Sequence, residues 1–145
     1  MRILHYTLTI ETEEGTHFYD LTPRLQEMIA EAKMYTGQVL IFTKHTTTAI
    51  RITENEERLL EDLKMHLEHL APKNSRYLHD DIHLRQCPPD ERMNGHSHVK
   101  ALTLNSSETI PILDGKLALG QWQSVFCIDF DGKRTREIIV QIMGE

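Results

Sequence analysis

The order in which two hydrophobic periods follow one another is the strongest constraint on what this chain can fold into. Between residues 2 and 10, Leu4, Tyr6, Leu8 and Ile10 alternate with Ile3, His5, Thr7 and Thr9, the period of two that belongs to a strand. Glu11 to Gly15 reads as a turn into a second short strand, Thr16 to Leu21. Thr22 then stands as an N-cap with Pro23 at the first helical position, and Leu25, Met28, Ile29 and Ala32 recur at helical spacing until Gly37 stops the run. Val39 to Phe42 is a continuous apolar run suited to a strand covered on both faces. Ala49 to Thr53 reads as its neighbour, reached through Lys44-His45-Thr46-Thr47. A second helix runs from about Asn55, striped by Leu59, Leu60, Leu63, Leu67 and Leu70, until Pro72 ends it.

The irregular stretch Lys73 to Gly95 is long for a loop inside a compact domain, a length that usually marks function or disorder. A short helix is predicted over His98 to Leu104. Glu108 to Leu113, Lys116 to Leu119, Gln121 to Phe130 and Arg136 to Met143 read as strands, with hairpin turns at Asp114-Gly115 and Asp131-Gly132. Strands, a helix, strands, helices and a final block of strands point to an α+β fold with a mostly antiparallel sheet, not a doubly wound one. The last strand is apolar on both faces, so one face is available to another subunit.

A chain of 145 residues buries roughly 70% of its unfolded surface and forms one domain. Its 16 Lys and Arg against 22 Asp and Glu give a charge of −6, which argues against a general nucleic-acid binder. No apolar run approaches the ~20 residues of a spanning helix, and no uninterrupted apolar segment near the start suits a secretory signal. Cys87 and Cys127 lie 40 positions apart, so no CxxC motif exists. These features read as a cytoplasmic protein with reduced thiols and no membrane partner.

Seven of the nine histidines fall between His45 and His98. Neutral imidazole is a common ligand of divalent transition metals, and three converging imidazoles leave a position for water or substrate. Spacing alone does not show convergence: in a helix, residues two apart diverge by about 200°, so only one of His96 and His98 can serve a given site. His66 and His69 on the leucine-striped helix, His5 and His17 on the first hairpin, and His83 beside Asp80 and Asp81 read as solvated or edge residues. Glu54 reads either as a general base or as a carboxylate favoured at a helix start. Lys100 is either an anion contact or an exposed helical lysine, and Ser106 and Ser107 are either a hydroxyl cluster or a loop into a strand. The chain contains no GxSxG, Walker loop, HExxH or GxGxxG.

His45-Thr46-Thr47-Thr48-Ala49, Glu54-Asn55, Tyr77-x-His79, His98-Val99-Lys100-Ala101 and the run from Ser107 to Gln123 together resemble the YjbQ-like family of secondary thiamine-phosphate synthases. The resemblance spans nearly the whole chain and is most specific from Pro111 to Gln123. Thr53 departs from it, standing where the family usually has the first Asn of Asn-Glu-Asn. The resemblance implies an α+β antiparallel β-sandwich or half-barrel with two or three helices, assembled as a homotrimer. It implies an enzyme that weakly joins hydroxymethylpyrimidine diphosphate to thiazole phosphate and releases pyrophosphate.

On that basis His45, His79 and His98 are expected to hold a divalent metal (zinc, manganese or magnesium), whereas His96 occupies a position that varies. Glu54 and Lys100 are the expected catalytic residues, and Ser106, Ser107 and Gln123 the expected contacts to a phosphorylated small-molecule substrate. Three imidazoles suit zinc better than magnesium. A zinc-type hydrolase and a non-catalytic trimeric metal- or ligand-binding protein are therefore the alternatives.

Overall fold

The computed structural model describes residues 1–145 as eight strands and three helices. The strands are β1 (Arg2–Glu11), β2 (Gly15–Asp20), β3 (Gly37–Thr43), β4 (Thr48–Glu54), β5 (Ser107–Leu113), β6 (Lys116–Leu117), β7 (Gln123–Gly132) and β8 (Thr135–Gly144). The helices are α1 (Thr22–Ala32), α2 (Glu57–Leu70) and α3 (Gly95–Leu102). All pairings are antiparallel, in a five-stranded sheet ordered β1-β8-β3-β5-β6 and a three-stranded sheet ordered β2-β7-β4. The chain is thus α+β with a half-barrel of two sheets. No helix is long and apolar enough to cross a membrane.

The period of two decides what each sheet buries. On β8, Ile138, Val140 and Ile142 point inward, meeting Val39 and Ile41 of β3 and Ile110 and Ile112 of β5. Ile50, Val125 and Cys127 close this core from the second sheet, and α1 adds Leu25, Met28, Ile29 and Ala32. β7 is buried on both faces: Phe126, Ile128 and Phe130 form a second core with Ala49 and with Leu67 of α2. The outer face of the five-stranded sheet carries Ile3, Leu40, Phe42, Ile139 and Met143, none of them buried.

Three local expectations change. Thr22 lies within α1 and does not cap it: its Oγ1 accepts the Val125 N–H at 2.8 Å, and Leu21 is the capping position. Asp114-Gly115 makes the expected hairpin, with φ of 50° and 72° at the two turn residues. Asp131-Gly132, in contrast, links strands of different sheets. Gly132 is needed there for close approach, because a Cβ would lie 1.8 Å from the Glu13 carbonyl oxygen. Finally, α3 starts earlier than predicted. A Cβ on Gly95 would meet Tyr77 Cβ at 2.6 Å, and the Gly95 N–H donates to Asp80 Oδ1 at 2.9 Å. The segment 77–80 is thereby docked onto the start of the helix.

Candidate functional site

A cavity of about 600 Å³ opens between the turn joining β3 to β4 and one face of α3. The turn contributes Lys44, His45 and Thr46, and α3 contributes His98, Ala101 and Leu102 at the i, i+3, i+4 spacing of a helix face. Phe42 and Ser106 complete the part of the wall that bears on ligand chemistry.

Each imidazole is held by something specific. His45 Nε2 accepts the backbone N–H of Glu137 at 3.0 Å, so in the neutral ring the proton sits on Nδ1. Partial burial lowers the His45 pKa, and the charges of Arg136 and Lys44 lower it further. His98 is packed edge to face against His79, with ring centroids 4.5 Å apart. Its pKa is lowered by burial first and by His79 second. Both rings of the cavity are therefore biased toward the neutral form.

Beneath the turn lies a buried ion pair. Arg136 donates from one terminal nitrogen both to Asp129 Oδ1 and to Thr47 Oγ1, each at 2.8 Å. Thr48 shares a hydroxyl contact with Thr43 at 2.5 Å and donates to the His45 carbonyl at 3.2 Å. The β3–β4 turn is thus fixed from below, and the backbone around His45 is preorganised.

The expected site residues do not form one group. His45, His98 and Ser106 share the cavity, with His79 behind His98 and outside the lining. Ser107 begins β5 opposite Phe42. Glu54 and Gln123 do lie together as cross-strand partners, but at the far end of β4. Six residue steps along the extended strand separate Glu54 from Thr48, where β4 leaves the turn that carries His45, a rise of about 20 Å. Gln123 Oε1 accepts the Gly120 N–H at 2.8 Å and so closes a turn. Lys100 is on the opposite face of α3 from His98, buried and bonded through Nζ to Glu68 Oε2 at 2.6 Å.

No three His, Cys, Asp or Glu side chains are grouped so as to hold a metal. The Nε2 lone pair of His45 is committed to Glu137, and only His79 and His98 are in mutual contact. The donor set does not fit a three-histidine centre, which overturns the expected metal site and the zinc-type hydrolase with it.

Lys44, Arg136 and Asp129 were not singled out by motif. A signal for the last two exists: Arg136 falls on the same face of its strand as Ile138, Val140 and Ile142, and Asp129 on that of Val125 and Cys127. A charge in an inward register implies a buried partner.

Residues 6–145 match the family described as UPF0047 protein YjbQ-like. A UPF0047 protein of Archaeoglobus fulgidus is 37% identical over 136 residues, covering 94% of this chain and 98% of the relative. One of Methanothermobacter thermautotrophicus is 32% identical over 145 residues, covering 100% and 95%. A crystal structure of a YbjQ-like protein of unknown function from Sulfolobus solfataricus P2 aligns with a TM-score of 0.87 at 28% identity, covering 99% of both chains. A hypothetical protein from Aeropyrum pernix K1 aligns with a TM-score of 0.88 at 26% identity, covering 98% of this chain and 99% of that one. The two sequence relatives are described by family alone, the Sulfolobus structure as being of unknown function and the Aeropyrum one as hypothetical. With the metal site also missing, the thiamine-phosphate synthase reading has no support. The motifs around His45, His79 and His98, the two-sheet fold and the match over residues 6–145 agree on ancestry: the chain belongs to the YjbQ-like UPF0047 family.

Proposed function

We propose that the chain binds a small phosphorylated molecule in the cavity between the β3–β4 turn and α3, where His45 donates a hydrogen bond to it and His98 exchanges a proton with it. The observation that carries this reading is the pair of imidazoles, both biased toward neutrality, on two walls of one 600 Å³ cavity that also presents the Lys44 ammonium. A neutral imidazole near physiological pH is poised to take a proton and, once charged, to give it back. His45, with Nε2 held by Glu137, offers Nδ1–H as a donor. His98 is the base, its ring oriented by His79. Lys44, whose ammonium also pairs with Glu137 at 3.2 Å, supplies positive charge for a phosphate, and the Ser106 and Thr46 hydroxyls supply hydrogen bonds.

The test is thermal unfolding against a panel of small phosphorylated compounds and their dephosphorylated counterparts. A ligand of the native state raises the midpoint in proportion to its occupancy. At least one phosphorylated compound is expected to stabilise the wild type, with the effect lost in His45→Ala and His98→Ala. Stabilisation by none, or equal stabilisation of both variants, would overturn the reading.

A homotrimer is the assembly we propose. Its support is the uncovered outer sheet face carrying Ile3, Leu40, Phe42, Ile139 and Met143, which adjoins the cavity through Phe42. A second copy of the chain is the occupant of that face, and the cavity then lies beside the subunit boundary.

A further inference from the structure

Behind α3, on the side away from His98, lies a second cavity of about 260 Å³ with a different chemistry. It is polar and is walled by the ends of α2 and β7, the start of β2 and the loop preceding α3. His96 and Lys100, one helical turn apart, face it from α3, and Lys73 and Arg92 approach from the flanking loops.

The acidic residues of this cavity are already committed. Asp131 accepts from Arg92, from Asn94 at 2.7 Å and from Arg134 at 2.8 Å. The two oxygens of Glu68 accept from Lys100 Nζ at 2.6 Å and from the Lys73 backbone N–H at 2.8 Å. Glu14 stands exposed at the rim. The unused capacity is mostly that of donors. Lys100 is only 3% exposed, and its ammonium has three N–H groups of which Glu68 takes one. The side-chain ammonium of Lys73 is a second cation at the wall.

One acceptor is unused as well. The Ser97 hydroxyl has a single proton and donates it to the Phe130 carbonyl at 2.7 Å. Its 3.2 Å contact with His96 therefore needs His96 Nε2–H as donor, which leaves Nδ1 bare. His96 is 7% exposed and Nδ1 has no partner. A buried polar atom of this kind is destabilising unless something meets it.

We propose that this cavity is a second binding site, for a small phosphate-type oxyanion whose charged oxygens meet Lys100 and Lys73 and whose own O–H is donated to His96 Nδ1. Inorganic phosphate and a phosphomonoester share that chemistry, since each carries both anionic oxygens and a proton to give near neutral pH. The site is separate from the His45–His98 cavity, because α3 divides the two.

The test follows the ¹⁵N imidazole resonances of the full-length protein during titration with inorganic phosphate and, separately, with glycerol phosphate. Saturable movement of the His96 Nδ1 signal is expected with at least one of them. Lys73→Ala, at an exposed position that should not disturb folding, and Lys100→Met should weaken that response at least tenfold, and His98→Ala should leave it unchanged. A response to phosphate alone identifies the free ion as ligand, and a response to both admits the monoester. An unmoved His96 signal with both probes would overturn the proposal, as would an undiminished response in Lys73→Ala.

Discussion

Arg136 and Asp129 meet across the inside of the half-barrel at 2.8 Å, joining β8 of one sheet to β7 of the other while both side chains are almost wholly buried. The same arginine nitrogen holds Thr47, so this ion pair also supports the turn that carries His45. Arg136→Met leaves the Asp129 carboxylate buried and unpaired, and the expected loss is about 3–5 kcal/mol in urea unfolding. The double variant Asp129→Leu/Arg136→Met removes both charges and should regain most of that loss. By contrast, Lys44→Ala breaks only an exposed pair with Glu137 and should cost under about 1 kcal/mol.

Stability should fall with pH in two steps. The depressed pKa values of His45 and His98 favour the neutral native ring, so their contribution is present above the ordinary imidazole value of 6.5. It is lost as pH drops from there through the lowered native values. Burial alone would raise the Asp129 carboxyl, but hydrogen bonds from Arg136 and the Asp131 N–H bring it below its ordinary value of 3.8. Its contribution is lost only below that pH. Unfolding midpoints measured from pH 8 to 3 should show both slopes. Buried His96 has a lowered pKa of the same origin, so the double variant His45→Gln/His98→Gln should shrink the first step without abolishing it and leave the second.

Gly37 stands where β3 enters the five-stranded sheet. A Cβ there would lie 2.0 Å from the Met143 carbonyl oxygen, and φ is 153°. Met143 cannot yield easily because β8 is paired on both sides, with β1 and with β3. Gly37→Ala is expected to cost about 3 kcal/mol or more, read as a shift of the urea midpoint at unchanged slope.

Light scattering coupled to size exclusion should give three times the chain mass of 16.9 kDa. Phe42→Asp and Leu40→Glu place charge on the outer sheet face and should lower that mass while leaving the circular dichroism of the fold intact. A wild-type mass near one chain would remove the trimer.

Most of the strand content was legible because a half-buried strand writes its period of two directly into the chain, as Leu4, Tyr6, Leu8 and Ile10 do. α1 was legible because Pro23 and four apolar positions agree on its start and its face. The partition into two sheets was not, since pairing such as β1 with β8 joins residues more than a hundred positions apart and leaves no local signature. For the same reason Asp131-Gly132 looked like an ordinary hairpin. At the site, the histidines were visible as residue types, and helical geometry already separated His96 from His98. What could not be seen was direction: Lys100 lies two residues from His98 and so faces the other cavity, and His45 is turned onto Glu137 by a contact with β8.

The most direct test of the cavity as the functional site is a ¹⁵N imidazole NMR titration with whichever phosphorylated compound stabilises the protein most. The account predicts saturable shifts of His45 and His98 together at one midpoint, with His5 and His17 on the first hairpin unmoved. Stabilisation with His45 and His98 both unchanged would contradict it.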